Sequence, residues 1–359
     1  MGRAQSAFNH NRNATGNHLS LRTRSGIKSI VLSTLSLIIC GVLFTASSTS
    51  EASALSKGPS LSQLESYISH SAAISQAPNL NGTIPPLEND VSDGLTLTMK
   101  HPCYGVDSSK LPSNPQSQCL WGDKKGKKSI FLFGDSQAAT WLPAMNQIGL
   151  SKGYKIYFLS EASCPPWEPP GKKDFQLTTG LTFDQCIKIV SNEIQFAITI
   201  HPTFIVLAGD GNDIGPNQFN PSTTSYAQEM ATVISRLKPS RSEIVLLSQV
   251  PQYNVSPSNP MTPVECLTVH GNDIIPCLLN PEVSTGSPVN QAFVLTSTRF
   301  KVPLINILPL FCTSQRCPLI VWSPIGVYLT HYDQYHMDKF YSVFIAHALS
   351  QLLIEKVKL

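Results

Sequence analysis

Five short runs of the chain are apolar almost throughout: Ser129–Phe133, Lys155–Leu159, Phe204–Ala208, Glu243–Leu247 and Val302–Ile307. Helix-like segments separate them, at Gln137–Leu150, Phe183–Ile200, Tyr226–Leu237 and Asn290–Arg299. A further helix is predicted over Lys339–Glu355, and another upstream over Leu61–Ile74. Strands without a polar face, alternating with helices, predict an α/β fold with a parallel sheet covered on both sides, a three-layer α/β/α sandwich. Such sheets carry their sites at the carboxyl ends of the strands. Gly134-Asp135-Ser136 follows the first run and Gly209-Asp210-Gly211-Asn212-Asp213 the third, so both fall on one rim. There is no internal repeat.

The start of the chain follows a different pattern. Residues 1–28 are basic and free of acids, and Ser29–Ala46 is uncharged and largely apolar. That order keeps the N-terminus inside and sends the rest across a membrane. Ala52-Ser53-Ala54 fits a signal-peptidase site, while the run reaches the short limit of a membrane span. A cleaved signal peptide and a retained anchor therefore both stand. Ile39 is too large to precede a lipoprotein cleavage at Cys40. The predicted organisation is 1–54 as basic segment plus signal or anchor, 55–120 as a loop-rich extension, and 121–359 as the sandwich. Within the extension, Ala77–Asn89 reads as an extended connector.

Composition narrows the function. The chain is 42% hydrophobic, enough for a large core, and holds 27 prolines and 21 glycines, so much of it should be loop. Beyond residue 54 there are 21 basic and 22 acidic residues, a near-neutral body with no footprint for nucleic acid. Eight cysteines follow the export signal: Cys103, Cys119, Cys164, Cys186, Cys266, Cys277, Cys312 and Cys317. An even count in an oxidising compartment implies disulfides. Eight cysteines allow 105 pairings; joining neighbours is the simplest. No C-x-x-C suggests zinc, and no cofactor is implied.

Ser136 is the candidate nucleophile. A serine needs a base in hydrogen-bond reach and a third group to orient the base. Tyr332-Asp333-Gln334-Tyr335-His336-Met337 offers both, with Asp333 and His336 three residues apart on one short segment. Other readings accompany these. Gly134-Asp135-Ser136 can be an ordinary helix cap, with Asp135 bracing the turn. His331, Asp333, His336 and Asp338 resemble a metal cluster, and His331 is a rival base. Asn212 can simply close a turn. His347 reads as packing or surface, His101, His201 and His270 have no companion motif, and Trp322 and Tyr328 are core or pocket lining.

The block Leu132–Trp141 resembles the serine block of the SGNH (GDSL-like) hydrolases, and Asp333-Gln334-Tyr335-His336 resembles their late D-x-x-H block, set before a C-terminal helix. More narrowly, the chain is similar to SGNH domains that are fused to, or work beside, acyltransferase-3-type membrane proteins acylating surface polysaccharides. Ser163-Cys164-Pro165-Pro166, the pair Cys312 and Cys317, and Cys119-Leu120-Trp121-Gly122-Asp123 carry that narrower likeness, which covers about residues 85 to 359. The resemblance implies a flavodoxin-like fold and acyl transfer through an acyl-serine, with Ser136 as nucleophile, His336 as base and Asp333 as its orienting partner. It implies oxyanion donors from the Ser136 amide, Gly209 and Asn212, although the family's G-x-N-D block carries one extra residue here, between Gly209 and the Asn-Asp pair, and its separate glycine block is not matched. It further implies an acyl donor, a surface glycan as acceptor, and a separate membrane acyltransferase as partner, in the bacterial cell envelope. A carbohydrate esterase and a non-catalytic glycan-binding module are the alternatives.

Overall fold

The computed structural model describes residues 58–76, 82–84, 103–104, 114–168, 181–210, 222–253, 261–271 and 273–359. The predicted signal or anchor, most of the Ala77–Asn89 connector, and Asn212 lie outside the described residues. No helix among those described is long and apolar enough to cross a membrane.

The main sheet has six strands: β2 (Leu120–Gly122), β3 (Lys128–Gly134), β4 (Tyr154–Ser160), β5 (Phe204–Ala208), β6 (Glu243–Leu247) and β7 (Leu304–Ile305). Their spatial order is β2-β4-β3-β5-β6-β7. Every pairing is parallel except β2 with β4. The five predicted runs are thus β3 to β7, with β7 cut to two residues; Pro303 beside it has no amide to lend to a ladder. The antiparallel edge strand β2 has no periodic signal, being three residues long. It also shields the sheet edge beside β4.

Alternate residues of the strands feed opposite layers, as the pleat requires. Ile130 and Leu132 of β3 pack with α2 (Ser136–Lys152), α8 (Ala346–Val357) and α1 (Leu61–Ala73). Phe131 and Phe133 point the other way, toward α3 (Phe183–Ile200), α4 (Thr223–Leu237) and α6 (Pro288–Phe300). All four side chains are fully buried, each worth roughly 1.5–3 kcal/mol of transfer free energy. The predicted three-layer sandwich is the observed one. The final predicted helix is two pieces, α7 (Lys339–Phe344) and α8, which meet at Ile345. α5 is a short turn of helix at Pro263–Val269.

α1, in the predicted extension, shares the sandwich core through Leu64 and Ile68. A Ser60–Gln63 capping box starts it, the Gln351 side chain accepts from the Leu61 amide at 2.6 Å, and Ser71 Oγ accepts from the Trp322 amide at 2.9 Å. A second small sheet joins β1 (Thr83–Ile84) to the hairpin of β8 (Ile320–Ser323) and β9 (Gly326–Leu329). Four disulfides join neighbours: Cys103–Cys119, Cys164–Cys186, Cys266–Cys277 and Cys312–Cys317. Cys164–Cys186 staples the loop after β4 to the first turn of α3.

The turn from β3 into α2 leaves no room for a side chain. A Cβ on Gly134 would fall on the Ala208 carbonyl at the end of β5 and stand 2.9 Å from the Ala138 Cβ. Gly134→Ala should therefore destabilise the protein by about 3 kcal/mol or more, read as a lowered denaturation midpoint; an unchanged midpoint would show that the strand ends can part.

Candidate active site

Asp135 caps α2. Its Oδ1 accepts the Gln137 amide at 2.9 Å, while Oδ2 accepts the Asp210 amide at 2.6 Å from beyond β5. Its backbone carbonyl accepts the Ser160 hydroxyl from the end of β4. One fully buried carboxylate residue thus fastens the ends of three strands to the first turn of the helix. Its part is bracing, as expected from the cap chemistry. Ser136 follows as the first residue of α2, 7% exposed. Its amide is among the first in the helix, which lack an intrahelical acceptor, and it has no partner among the described residues. Ser136 Oγ likewise makes no hydrogen bond to a described residue.

The histidine segment is a pinched loop. His331 and Met337 form an isolated antiparallel bridge at its base, and the Asp338 amide donates to the Thr330 carbonyl at 3.0 Å. Within the loop, Asp333 Oδ1 accepts the Tyr335 and His336 amides, both at 2.7 Å. Asp333 Oδ2 meets His336 Nδ1 at 2.8 Å. Tyr332 lies flat on the imidazole, with ring centroids 5.5 Å apart and planes 8° from parallel. The three-residue spacing thus yields both an Asx turn and a side-chain pair. Burial by itself would raise the Asp333 carboxyl. The His336 side-chain hydrogen bond and charge, with the two amides, outweigh that and hold it below the usual carboxylate value.

One contact ties this loop to the serine helix, and a second docks the helix that follows the loop. The Gln137 Nε2 donates to the Tyr335 carbonyl. Further along, Pro143 has no amide to donate to the Ala139 carbonyl, and Ser342 of α7 bridges the next rung of the ladder. Its hydroxyl donates to the Thr140 carbonyl at 2.8 Å and accepts from the Ala144 amide at 3.1 Å. The residue after Ser136 and the residue before His336 are therefore directly bonded.

Other candidates separate clearly. His331 is 1% exposed and engaged at both ring nitrogens, with Nε2 donating to the Pro251 carbonyl at 2.7 Å and Nδ1 2.8 Å from the Thr330 hydroxyl. Burial lowers its pKa to about 4, so it is a neutral structural imidazole and not the rival base. Asp338 caps α7 through the Phe340 and Tyr341 amides. No three His, Cys, Asp or Glu side chains converge as a metal site among the described residues. Gly209 lies beside the Asp135 carboxylate, where a Cβ would meet Pro166 Cδ at 2.6 Å and Trp167 at 3.1 Å. The Ser163-Cys164-Pro165-Pro166 loop is thus packed against the rim. His347 lies in α8, where its Nδ1 is 3.3 Å from the Gly58 carbonyl. Trp322 is exposed, and Tyr328 stacks on Phe344 with centroids 4.0 Å apart.

Sequence reasoning missed the polar groups behind the rim. Asp210 is 3% exposed, and its carboxylate accepts from Gln249 and Gln252 Nε2, both at 2.5 Å. Glu193, in the middle of α3, is buried; burial first, then the charges of Glu161 and Asp135, raise its pKa well above the ordinary value. A hydrophobic pattern does not flag single polar residues inside an apolar layer.

A family model for the SGNH domain (fused to AT3 domains) matches residues 102–351. Among solved structures, the periplasmic domain of a lipopolysaccharide acetyltransferase from Salmonella ser. Paratyphi A is 18% identical, with 77% of this chain and 97% of that chain covered and a TM-score of 0.53. A GDSL-like lipase from Bacteroides thetaiotaomicron is 13% identical, covering 65% of this chain and 90% of that one, with a TM-score of 0.38. No match to a curated protein was found.

Asp338 supplies a pH test of these electrostatics. Burial, partly offset by the helix amides, raises its pKa to about 7, and its Oδ2 has no hydrogen-bond partner. Between the ordinary carboxyl range and that value the unfolded chain releases this proton and the folded one keeps it. The group therefore lowers stability as pH rises. Asp338→Asn keeps a capping oxygen and does not titrate, so its stability relative to wild type should rise by on the order of 1 kcal/mol per pH unit between about pH 5 and 7. Denaturant unfolding of both proteins across that range measures it, and a difference independent of pH would contradict the assignment.

The Asp135-capped turn that presents Ser136, the Asp333–His336 pair and the match over residues 102–351 lead to one assignment: the chain belongs to the family of SGNH domains fused to AT3 domains.

Proposed function

We propose that the protein is an extracytoplasmic serine acyl-ester enzyme that transfers an acyl group, acetyl in the simplest case, to a hydroxyl of a cell-surface polysaccharide. The observation that carries this reading is the Asp333–His336 hydrogen bond of 2.8 Å, on a loop bonded to the residue next to Ser136. His336 Nε2 takes the proton from Ser136 Oγ as the oxygen attacks the acyl carbonyl. Asp333 holds the imidazole by Nδ1 and offsets the charge that forms. The developing oxyanion is met by the Ser136 amide, with Gly209 and Asn212 as the proposed further donors. Collapse expels the donor's alcohol or thiol, which takes the proton back from His336, and leaves an acyl-serine. A sugar hydroxyl, deprotonated by the same imidazole, then attacks that ester and restores Ser136. Water in its place gives hydrolysis.

Ser136 Oγ is not bonded to His336, and catalytic hydrogen bonds often tighten only with substrate in place. The family's fused AT3 domains support a separate membrane acyltransferase as the acyl-donating partner of this chain. The neighbour described as the periplasmic domain of a lipopolysaccharide acetyltransferase supports a glycan acceptor outside the cytoplasm, as do the four disulfides.

The test is hydrolysis of 4-nitrophenyl acetate by the purified full chain, beside Ser136→Ala, His336→Ala and the double variant. Each single change should lower kcat/KM by about 1,000-fold or more, and the double change should cost little beyond either one. Turnover that survives Ser136→Ala with the fold intact would remove the serine from the mechanism.

A further inference from the structure

Gln137 is an unusual residue to bury beside a nucleophile. It is 1% exposed, at the second position of α2. Its amide nitrogen faces the Tyr335 carbonyl, 198 residues on. A carbonyl only accepts, so this contact fixes which end of the side-chain amide is which. The other end, Oε1, is buried without a hydrogen-bond partner. A buried polar atom left unsatisfied lowers stability. An apolar side chain of the same length would fill the space without that loss, so packing does not explain the residue.

The contact has a specific place in the site. Gln137 Nε2 donates to the carbonyl of Tyr335, and the amide of His336, the other half of that peptide, donates to Asp333 Oδ1 at 2.7 Å. The peptide leading into His336 is therefore held from both sides. The held carbonyl belongs to the residue before the imidazole, and the holding side chain to the residue after Ser136. We propose that Gln137 is a positioning residue, a clasp that sets the distance and angle between the Ser136 hydroxyl and the His336 ring without touching substrate. The proposal rests on the reading of Ser136 and His336 as nucleophile and base. Ser342 anchors α7 to α2 further along, so loss of the clasp loosens the loop's hold on the serine helix while α7 stays docked.

Gln137→Met, similar in length and unable to donate, separates this role from a structural one. Three quantities are read on the purified full chain: the melting temperature, hydrogen–deuterium exchange of the amides in 331–337, and the rate at which a fluorophosphonate phosphonylates Ser136. The expected result is a melting temperature equal to wild type or higher, because the unsatisfied Oε1 is gone. Loop exchange should be faster, and phosphonylation slower by about 10- to 100-fold, the scale of a small misplacement of reacting groups. Gln137→Glu, which keeps the shape and sets a carboxylate against the carbonyl, should show the same two rate changes if the methionine variant folds poorly. Wild-type loop exchange in either folded variant would overturn the clasp, as would slower phosphonylation fully accounted for by a lower melting temperature. A wild-type protein that does not react with the fluorophosphonate, while loop exchange still rises in the variants, would sink the serine mechanism and leave the clasp standing.

Discussion

One buried carboxylate holds the rim together. Asp135 receives an amide from the helix it caps and another from the chain leaving β5, and its carbonyl receives a hydroxyl from the end of β4. A charged group at zero exposure is tolerated only when its oxygens are hydrogen-bonded. Both carboxylate oxygens of Asp135 have an amide donor, so the neighbouring elements are obliged to keep their places. Ser136 inherits its position from that obligation. The missing side chain at Gly134 lets β3 and β5 close up directly beneath.

The second half of the site comes from almost two hundred residues away, and its placement is a matter of docking. The loop 331–337 is internally rigid, through the His331–Met337 bridge and the Asx turn at Asp333. It is also tied outward. The Tyr253 amide donates to the Gln334 carbonyl at 2.6 Å, and the Gln334 side chain to the Met261 carbonyl at 3.2 Å. The Pro143 interruption in α2 would be a defect in an isolated helix. Here the rung beside it is bridged by the Ser342 hydroxyl, so the helix after the histidine is joined through one side chain to the backbone of the helix carrying the serine.

The two histidines of the loop show how environment divides residues that look alike in sequence. His331 and His336 are five positions apart. The first is enclosed, spends both nitrogens on fixed partners, and stays neutral because burial disfavours its charge. The second is partly open and paired with a carboxylate held below its ordinary pKa, the arrangement that stabilises an imidazolium when one forms. Asp333 and Asp338 differ in the same way, one lowered by its hydrogen bonds and the other raised to about 7 by burial.

The sequence alone determined the layers. Continuous apolar runs cannot sit at a surface, so β3 to β6 and the helices between them were legible, and with them the rim where Gly134-Asp135-Ser136 had to lie. The spacing of Asp333 and His336 announced a pair because three residues suffice to close a turn. The tertiary structure decided what no local pattern encodes. Short elements such as β2 and the β1-β9-β8 sheet have no period to read. The buried Glu193 is a polar residue within an apolar layer, and the burial of Asp210 depends on Gln249 and Gln252, some forty residues away. The choice between His331 and His336 turned on carbonyls and hydroxyls contributed by Pro251 and Thr330. The link from Gln137 to Tyr335 spans 198 residues, and such a contact exists only once the sheet, the helix and the loop have been packed together.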